Sequence, residues 1–268
     1  MQSFTHLEIG LHRSVATVTM NRPAQRNAFN AEMIGELTAA FAELGGSEDV
    51  RVVILAGAGS IFSAGADVAY MHSIADFGRD ENVADAMRLA GLFAAVRDCP
   101  KPVIARIQGA AIGGGAGLVA ACDIAVAAEG AKFAFSEARL GIVPAVISPF
   151  VIPRIGVSAA RELFLTGERF DAAHALRIGL VHRVVAAGDL DAAVDERVEA
   201  LLMAAPGSQA VVKKFIPVVA ANPVDVTQIT AGLIAERRAS AEGREGLSAF
   251  LEGRRAEWVP EPAADKNA

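Results

Sequence analysis

At 268 residues, 53% of them hydrophobic, the chain is long enough to bury a sizeable core, as one domain with a helical appendage or as two. Its 25 basic and 31 acidic residues leave a formal charge of −6, and no Lys/Arg run is interleaved with aromatics, so nucleic acid is excluded as an expected partner. Two cysteines, Cys99 and Cys122, without a CxxC pair, suggest neither a disulfide framework nor a structural zinc site.

The opening MQSFTHLEIG lacks the basic and apolar regions of a secretory signal. Leu7 to Leu11 and Val15 to Met20 then read as a β-hairpin. Asn30 is placed to cap a helix over Ala31 to Leu44, where Met33, Leu37, Ala40, Phe41 and Leu44 follow helical spacing. Val52 to Leu55 is a continuous apolar run, typical of a strand buried on both faces. A helical stretch over Asn82 to Arg97 leads to another buried strand, Lys101 to Ile107. Gly113-Gly114-Gly115 opens a small-residue helix through Ala121, and Ile124 to Ala127 is a third buried strand. The apolar stretch 109–128 is broken by glycines and Asp123, which argues against a membrane span. A cytoplasmic location is expected.

Strands alternating with helices predict βα units and a largely parallel sheet. From about Ser158 the pattern is mainly helical, with one short strand at Leu180 to Val184 and prolines at 206, 217 and 223. The division expected is a core over 1–200, a C-terminal helical oligomerisation region over 201–260, and a disordered tail over 261–268.

Several glycine-rich readings fail. Gly57-Ala58-Gly59-Ser60-Ile61-Phe62 has Phe62 where a dinucleotide loop needs its third glycine, and no Gly-Lys-Ser/Thr follows Gly113. There is no G-x-S-x-G elbow. His6, His12, His72, His174 and His182 lack metal-ligand spacing, so no metal is expected.

Three segments remain. They are Phe62-Ser63-Ala64-Gly65-Ala66-Asp67-Val68, then Gly109 to Gly117 running on to Ala121-Cys122-Asp123, and Phe133 to Pro144 around Ser136-Glu137-Ala138-Arg139. With Asn21-Arg22-Pro23 and Asn27-Ala28, they resemble the enoyl-CoA hydratase/isomerase (crotonase) family in order and spacing over roughly residues 5 to 260. The resemblance implies an α/β fold, a crotonase-type spiral of ββα units with a C-terminal helical region. It also implies an acyl-CoA thioester substrate, no cofactor beyond the coenzyme A carried by that substrate, and assembly as a homotrimer or dimer of trimers.

By the same resemblance the oxyanion N–H groups fall at Gly114 and Ala66, and the acid/base at Glu137. Ala64, Gly65, Asp67, Val68, Gly113 and Gly117 fall at substrate-binding positions, with pantetheine near Ala64 to Val68. The chemistry is coherent on physical grounds. A thioester enolate needs preorganised donors, each worth roughly 3–4 kcal/mol of barrier, and a helix N-terminus behind glycines offers them. Glu137 lies in an apolar stretch where desolvation would raise a carboxyl pKa; a capping or salt-bridged glutamate is the competing reading.

One position departs from the pattern. The family's well-known hydratases carry a first glutamate where this chain has Gly117. Gly costs about 1 kcal/mol of helix stability relative to Ala, and room for a branched acyl group is the compensation expected. A single carboxylate leans toward 3-enoyl-CoA to 2-enoyl-CoA isomerisation. The longer stretch Ser136 to Phe150 resembles bacterial hydratases of branched glutaconyl-type CoA esters, such as methylglutaconyl-CoA hydratase of leucine degradation, and favours hydration. A distal carboxylate would need a cationic or donor-rich pocket end, for which Arg139 and Arg106 are candidates; Tyr70 could also reach the acyl pocket. A non-catalytic acyl-CoA-binding scaffold is the reading from another class, and Glu137 argues against it.

Overall fold

A computed structural model describes residues 3–74, 76–221 and 226–261. The chain forms two compact units, Met1–Glu196 and Arg197–Ala268. Helix α7 (Leu190–Leu202) runs through the boundary between them. Of the tail expected to be disordered, residues 262–268 lie outside the described residues.

The first unit starts with a hairpin of β1 (Leu7–His12) and β2 (Val15–Met20), paired from Leu7↔Met20 to His12↔Val15. Its two-residue turn places Arg13 and Ser14 at φ 48° and 63°, the left-handed pair that matches the twist of the strands. Along β2 the alternate residues Ala16, Val18 and Met20 are buried, as one core-facing side requires. β3 (Val52–Gly57) is buried at all six positions, as its unbroken apolar run predicts. β4 (Val103–Ile107), β6 (Ile124–Ala128) and β9 (Arg183–Val185) complete a six-stranded sheet of order β1-β2-β3-β4-β6-β9, parallel after the hairpin.

A second sheet holds three short strands, β5 (Ala110–Ile112), β7 (Lys132–Ala134) and β8 (Arg169–Asp171), in the order β5-β7-β8. A bridge between Ser63 and Ala111 adds the loop after β3 to its edge. The chain therefore repeats one step: a strand in the large sheet, a short segment in the small one, then a helix. After β3 come α2 (Val68–Ser73) and α3 (Arg79–Asp98); after β4 and β5 comes α4 (Gly114–Ala121); after β6 and β7 comes α5 (Ser148–Thr166). The β5, β7 and β8 segments, three residues each, are too short to register as periodic patterns. The strand expected at Leu180 to Val184 is displaced to β9, because Gly179 (φ 80°) and the bond from Leu180 N–H to Ala175 O make 179–181 a turn.

Helix α1 (Ala31–Gly46) begins where the sequence places it, with Asn30 Oδ1 accepting from Met33 N–H at 2.9 Å. Its buried Met33, Leu37, Phe41 and Leu44 share one core with Phe93, Phe133 and Phe135. The second unit contains α8 (Pro206–Ala221), α9 (Thr227–Ala239) and α10 (Ala241–Glu252). There Glu242 accepts from Gly207 and Ser208 N–H at the start of α8, where the helix dipole favours a carboxylate, and pairs with Arg237. No helix among the described residues is long and apolar enough to cross a membrane.

Candidate active site

The Asn21-Arg22-Pro23 and Asn27-Ala28 motifs form a clamp. Asn27 is wholly buried; its Oδ1 accepts from Arg22 N–H at 3.0 Å, and its Nδ2 donates to Ala58 O and Ile61 O at 2.9 and 2.8 Å. Ser63 Oγ donates to Asn27 O at 2.8 Å and accepts from Gly65 N–H at 3.1 Å. Arg22 reaches Ala28 O at 2.5 Å and the Asp67 carboxylate at 3.0 Å. These bonds fix the loop that ends at Ala66.

Ala66 is bridged to Phe29, and the bonds of that bridge use Gly65 O and Asp67 N–H. The N–H of Ala66 itself is left out of the ladder and has no acceptor among the described residues. Gly65 (φ 88°) lies so close to the second donor segment that a Cβ there would sit 2.5 Å from Ile112 O and 3.3 Å from Gly114 N. Only glycine satisfies both the left-handed backbone and that approach. Gly114 opens α4, so its N–H belongs to the first turn and has no intrahelical partner.

Glu137 begins a short 3₁₀ turn, Glu137–Leu140. Its Oε2 is buried with no hydrogen-bond partner among the described residues, and no salt bridge to Glu137 is present among them. Burial raises its pKa above the ordinary glutamate value, against a smaller lowering by its own backbone N–H. Gly113 (φ 51°) passes beneath it; a Cβ there would lie 3.2 Å from Glu137 Oε1.

Ala66, Gly114 and Glu137 line one cavity of about 200 Å³, walled by apolar side chains including Ile34, Met71, Leu89 and Val146. Tyr70 and Asp85 supply its other polar lining. No Lys, Arg or His is among the lining residues. The remaining sequence candidates stand elsewhere. Asp67 caps α2 by accepting from Ala69 and Tyr70 N–H. Burial pulls its carboxyl upward, but the bonds from Arg22, Tyr70 and Ala69 outweigh that and hold it below its ordinary value. Val68 is exposed on α2, Ala64 donates to Arg26 O at 2.9 Å, and Gly65 and Gly113 support the donors and Glu137 from behind.

The expected acyl space at Gly117 is filled. A Cβ there would lie 2.5 Å from Ile147 Cγ2 and 3.2 Å from Phe93 Cε1, so Gly117 is a packing position behind the cavity wall. Arg139 donates to Thr166 O, and Arg106 pairs with Asp191 and Gln108; neither reaches the cavity. Sequence reasoning missed Asp85. The available signal was its place on α3 four and eight residues before Leu89 and Phe93, on the helix face that carries the apolar residues.

The Enoyl-CoA hydratase/isomerase family profile matches residues 10–261, and the chain belongs to that family. Among solved structures, an enoyl-CoA hydratase from Shewanella pealeana is similar at 39% identity and TM-score 0.92, covering 95% of this chain and 96% of that one. AtuE of Pseudomonas aeruginosa is similar at 36% identity and TM-score 0.90, covering 96% and 100%. An enoyl-CoA hydratase from Mycobacterium smegmatis is similar at 34% identity and TM-score 0.89, with the same coverage. The fold is the crotonase fold.

Proposed function

We propose that the chain is an enoyl-CoA hydratase that adds water across the 2,3 double bond of an enoyl-CoA through a thioester enolate. One observation carries the reading: a buried Glu137 carboxylate oxygen with no partner among the described residues shares a cavity with two backbone N–H donors, at Ala66 and Gly114, that have no acceptor among those residues either. The thioester oxygen sits between the two donors. Glu137 takes a proton from water as the water oxygen bonds to C3, and the π electrons move onto the thioester oxygen. The enolate then collapses and C2 takes a proton, returned by Glu137. The donors act on charge that exists only along the reaction, which is where fixed dipoles accelerate it.

Isomerisation of a 3-enoyl-CoA is the second reading. Ile147 occupies the space a second carboxylate would need at position 117, and one base suffices to move a proton between C4 and C2. The absence of a cation among the lining residues favours an uncharged acyl group over a glutaconyl-type one. The substrate carries the only coenzyme in this reading. The chain acts in the cytoplasm as a homotrimer or dimer of trimers.

The test follows loss of enoyl-thioester absorbance with crotonyl-CoA, longer 2-enoyl-CoAs and 3-methylglutaconyl-CoA. Hydration is expected with uncharged substrates, with Glu137→Gln slower by at least about 100-fold. Deuterium exchange at C2 of a 3-enoyl-CoA without hydration would move the assignment to isomerase. Binding without either reaction would leave the scaffold.

A further inference from the structure

Arg154 lies on α5 and is not among the residues lining the cavity. Its Nη1 donates to Cys122 O at 2.5 Å and reaches Ala120 O at 3.5 Å, and its Nε donates to Leu180 O at 3.2 Å. Nη2 stands 3.3 Å from His182 Nδ1, which also accepts from Ala125 N–H. Burial pulls the pKa of this guanidinium down, and Cys122 and Asp123 act the other way. No carboxylate hydrogen-bonds to it among the described residues. Drawing a cation away from water costs free energy that a methionine of similar length would avoid. The carbonyls it binds show what the charge is for.

Ala120 and Cys122 stand at the end of α4, the helix whose first turn presents the Gly114 N–H. A helix C-terminus carries free carbonyls and partial negative charge, which a guanidinium fork suits. The faces of α4 are smooth. A Cβ on Gly115 would lie 2.7 Å from Ser63 O, and Gly117 rests on Ile147. Faces of glycine and alanine offer few ridges to interlock with a neighbour, so contacts at the two ends fix where α4 sits along α5. Gly113 N–H ties the front to Ala134 O at 2.8 Å, and Arg154 ties the rear. Helix α5 in turn packs against the 3₁₀ turn that begins with Glu137. One side chain therefore joins the helix that carries the donor to the helix that backs the base.

We propose that Arg154 is a positioning residue for the hydration: by gripping the rear carbonyls of α4 from α5, it sets the spacing between the Gly114 N–H and Glu137. This rests on the reading of Gly114 as an oxyanion donor. The thioester oxygen must meet that N–H at about 2.7–3.1 Å while Glu137 stays at the reacting carbons. A donor displaced by about an ångström costs rate without closing the cavity to substrate. Arg154 itself touches neither substrate nor base. Lysine is no substitute, because a single ammonium lacks the planar fork that joins Cys122 O to Leu180 O.

The test compares wild type, Arg154→Met and Arg154→Lys by two readouts. One is the infrared carbonyl stretch of bound butyryl-CoA carrying a heavy-carbon label at the thioester. Its frequency falls as hydrogen bonds polarise the carbonyl, and a saturated ester needs no turnover. The other is kcat and KM for crotonyl-CoA hydration. Methionine keeps the apolar stem and removes every donor. Arg154→Met is expected to lower kcat about 10- to 100-fold with KM within about threefold, and to return the bound stretch toward the free-ester value. Arg154→Lys should fall between the two on both readouts. A merely structural role would lower the unfolding temperature and leave the bound stretch alone. A wild-type stretch in Arg154→Met overturns the proposal whatever happens to kcat, and so does an unchanged kcat. Wild-type behaviour of Arg154→Lys on both readouts also overturns it, and this variant decides alone where the methionine one fails to fold. A downshifted stretch in wild type without hydration of any 2-enoyl-CoA would sink the hydratase reading and leave this proposal to be decided by the stretch. No downshift in wild type would sink the oxyanion role of Gly114 and this proposal with it.

Discussion

Glu137 combines burial, an unpartnered oxygen and a raised pKa, and these have opposite consequences for activity and stability. As the base it must be ionised, so the acid limb of the hydration rate should lie above the ordinary glutamate value of 4.5. For stability the sign is reversed. Between the unfolded value and the raised folded one, the native state binds more protons than the unfolded state, so stability falls as pH rises through that window. Glu137→Gln, neutral throughout, should therefore gain urea resistance over wild type at pH 7 and lose that gain below about pH 4. A glutamine variant no more stable at neutral pH would mean the carboxylate is compensated. Gly117 is the counterpart in packing. Gly117→Ala gains about 1 kcal/mol of helix propensity, yet its methyl meets Ile147 Cγ2 at 2.5 Å. Overpacking of this kind costs about 1–3 kcal/mol, so a net lowering of the urea midpoint is expected, and a midpoint equal to or above wild type would show that Ile147 yields.

At the scale of elements, the β1–β2 hairpin stands apart from the chemistry and tests the backbone argument. Arg13 and Ser14 both hold positive φ, which side-chain-bearing residues adopt at a cost, and an Asn-Gly dipeptide is the pair suited to that turn. The double substitution Arg13→Asn with Ser14→Gly should raise stability by about 1 kcal/mol at unchanged kcat/KM, read by denaturant unfolding and the hydration assay. The elements that carry the site were legible to different degrees. β3 was plain as an unbroken apolar run and β4 as one interrupted by Arg106, and α1 was announced by Asn30 and a 3.6-residue stripe. The Gly113 to Gly115 turn was visible as a strand-to-helix junction. The small sheet was not, because β5, β7 and β8 have three residues each and their pairing is long-range. Ile147 closing the space at Gly117 was equally hidden: sequence reports the missing side chain, while a neighbour far along the chain decides whether the gap is empty.

For the whole molecule, the parallel sheet was readable from alternating strand and helix patterns, whereas the tertiary meeting of Ala66, Gly114 and Glu137 was approached only through motif resemblance. The same limit applies to assembly. Leu247, Phe250 and Leu251 of α10 follow i, i+3, i+4 spacing and are 57%, 84% and 83% exposed in the single chain. Isolated exposed apolar residues are ordinary, but three large ones on one helical stripe resemble a surface awaiting cover. With a homotrimer proposed, a second copy of the chain is the occupant to test, and closed cyclic assembly buries the same stripe on every subunit. Sedimentation equilibrium of the wild-type protein should give a trimer or hexamer. Phe250→Glu with Leu251→Glu places charges on residues that are already solvent-facing in the monomer, so the subunit fold should survive and its far-ultraviolet dichroism should stay unchanged, while the sedimenting mass falls. A wild-type monomer, or an unchanged mass in the double variant, would remove α10 from the interface.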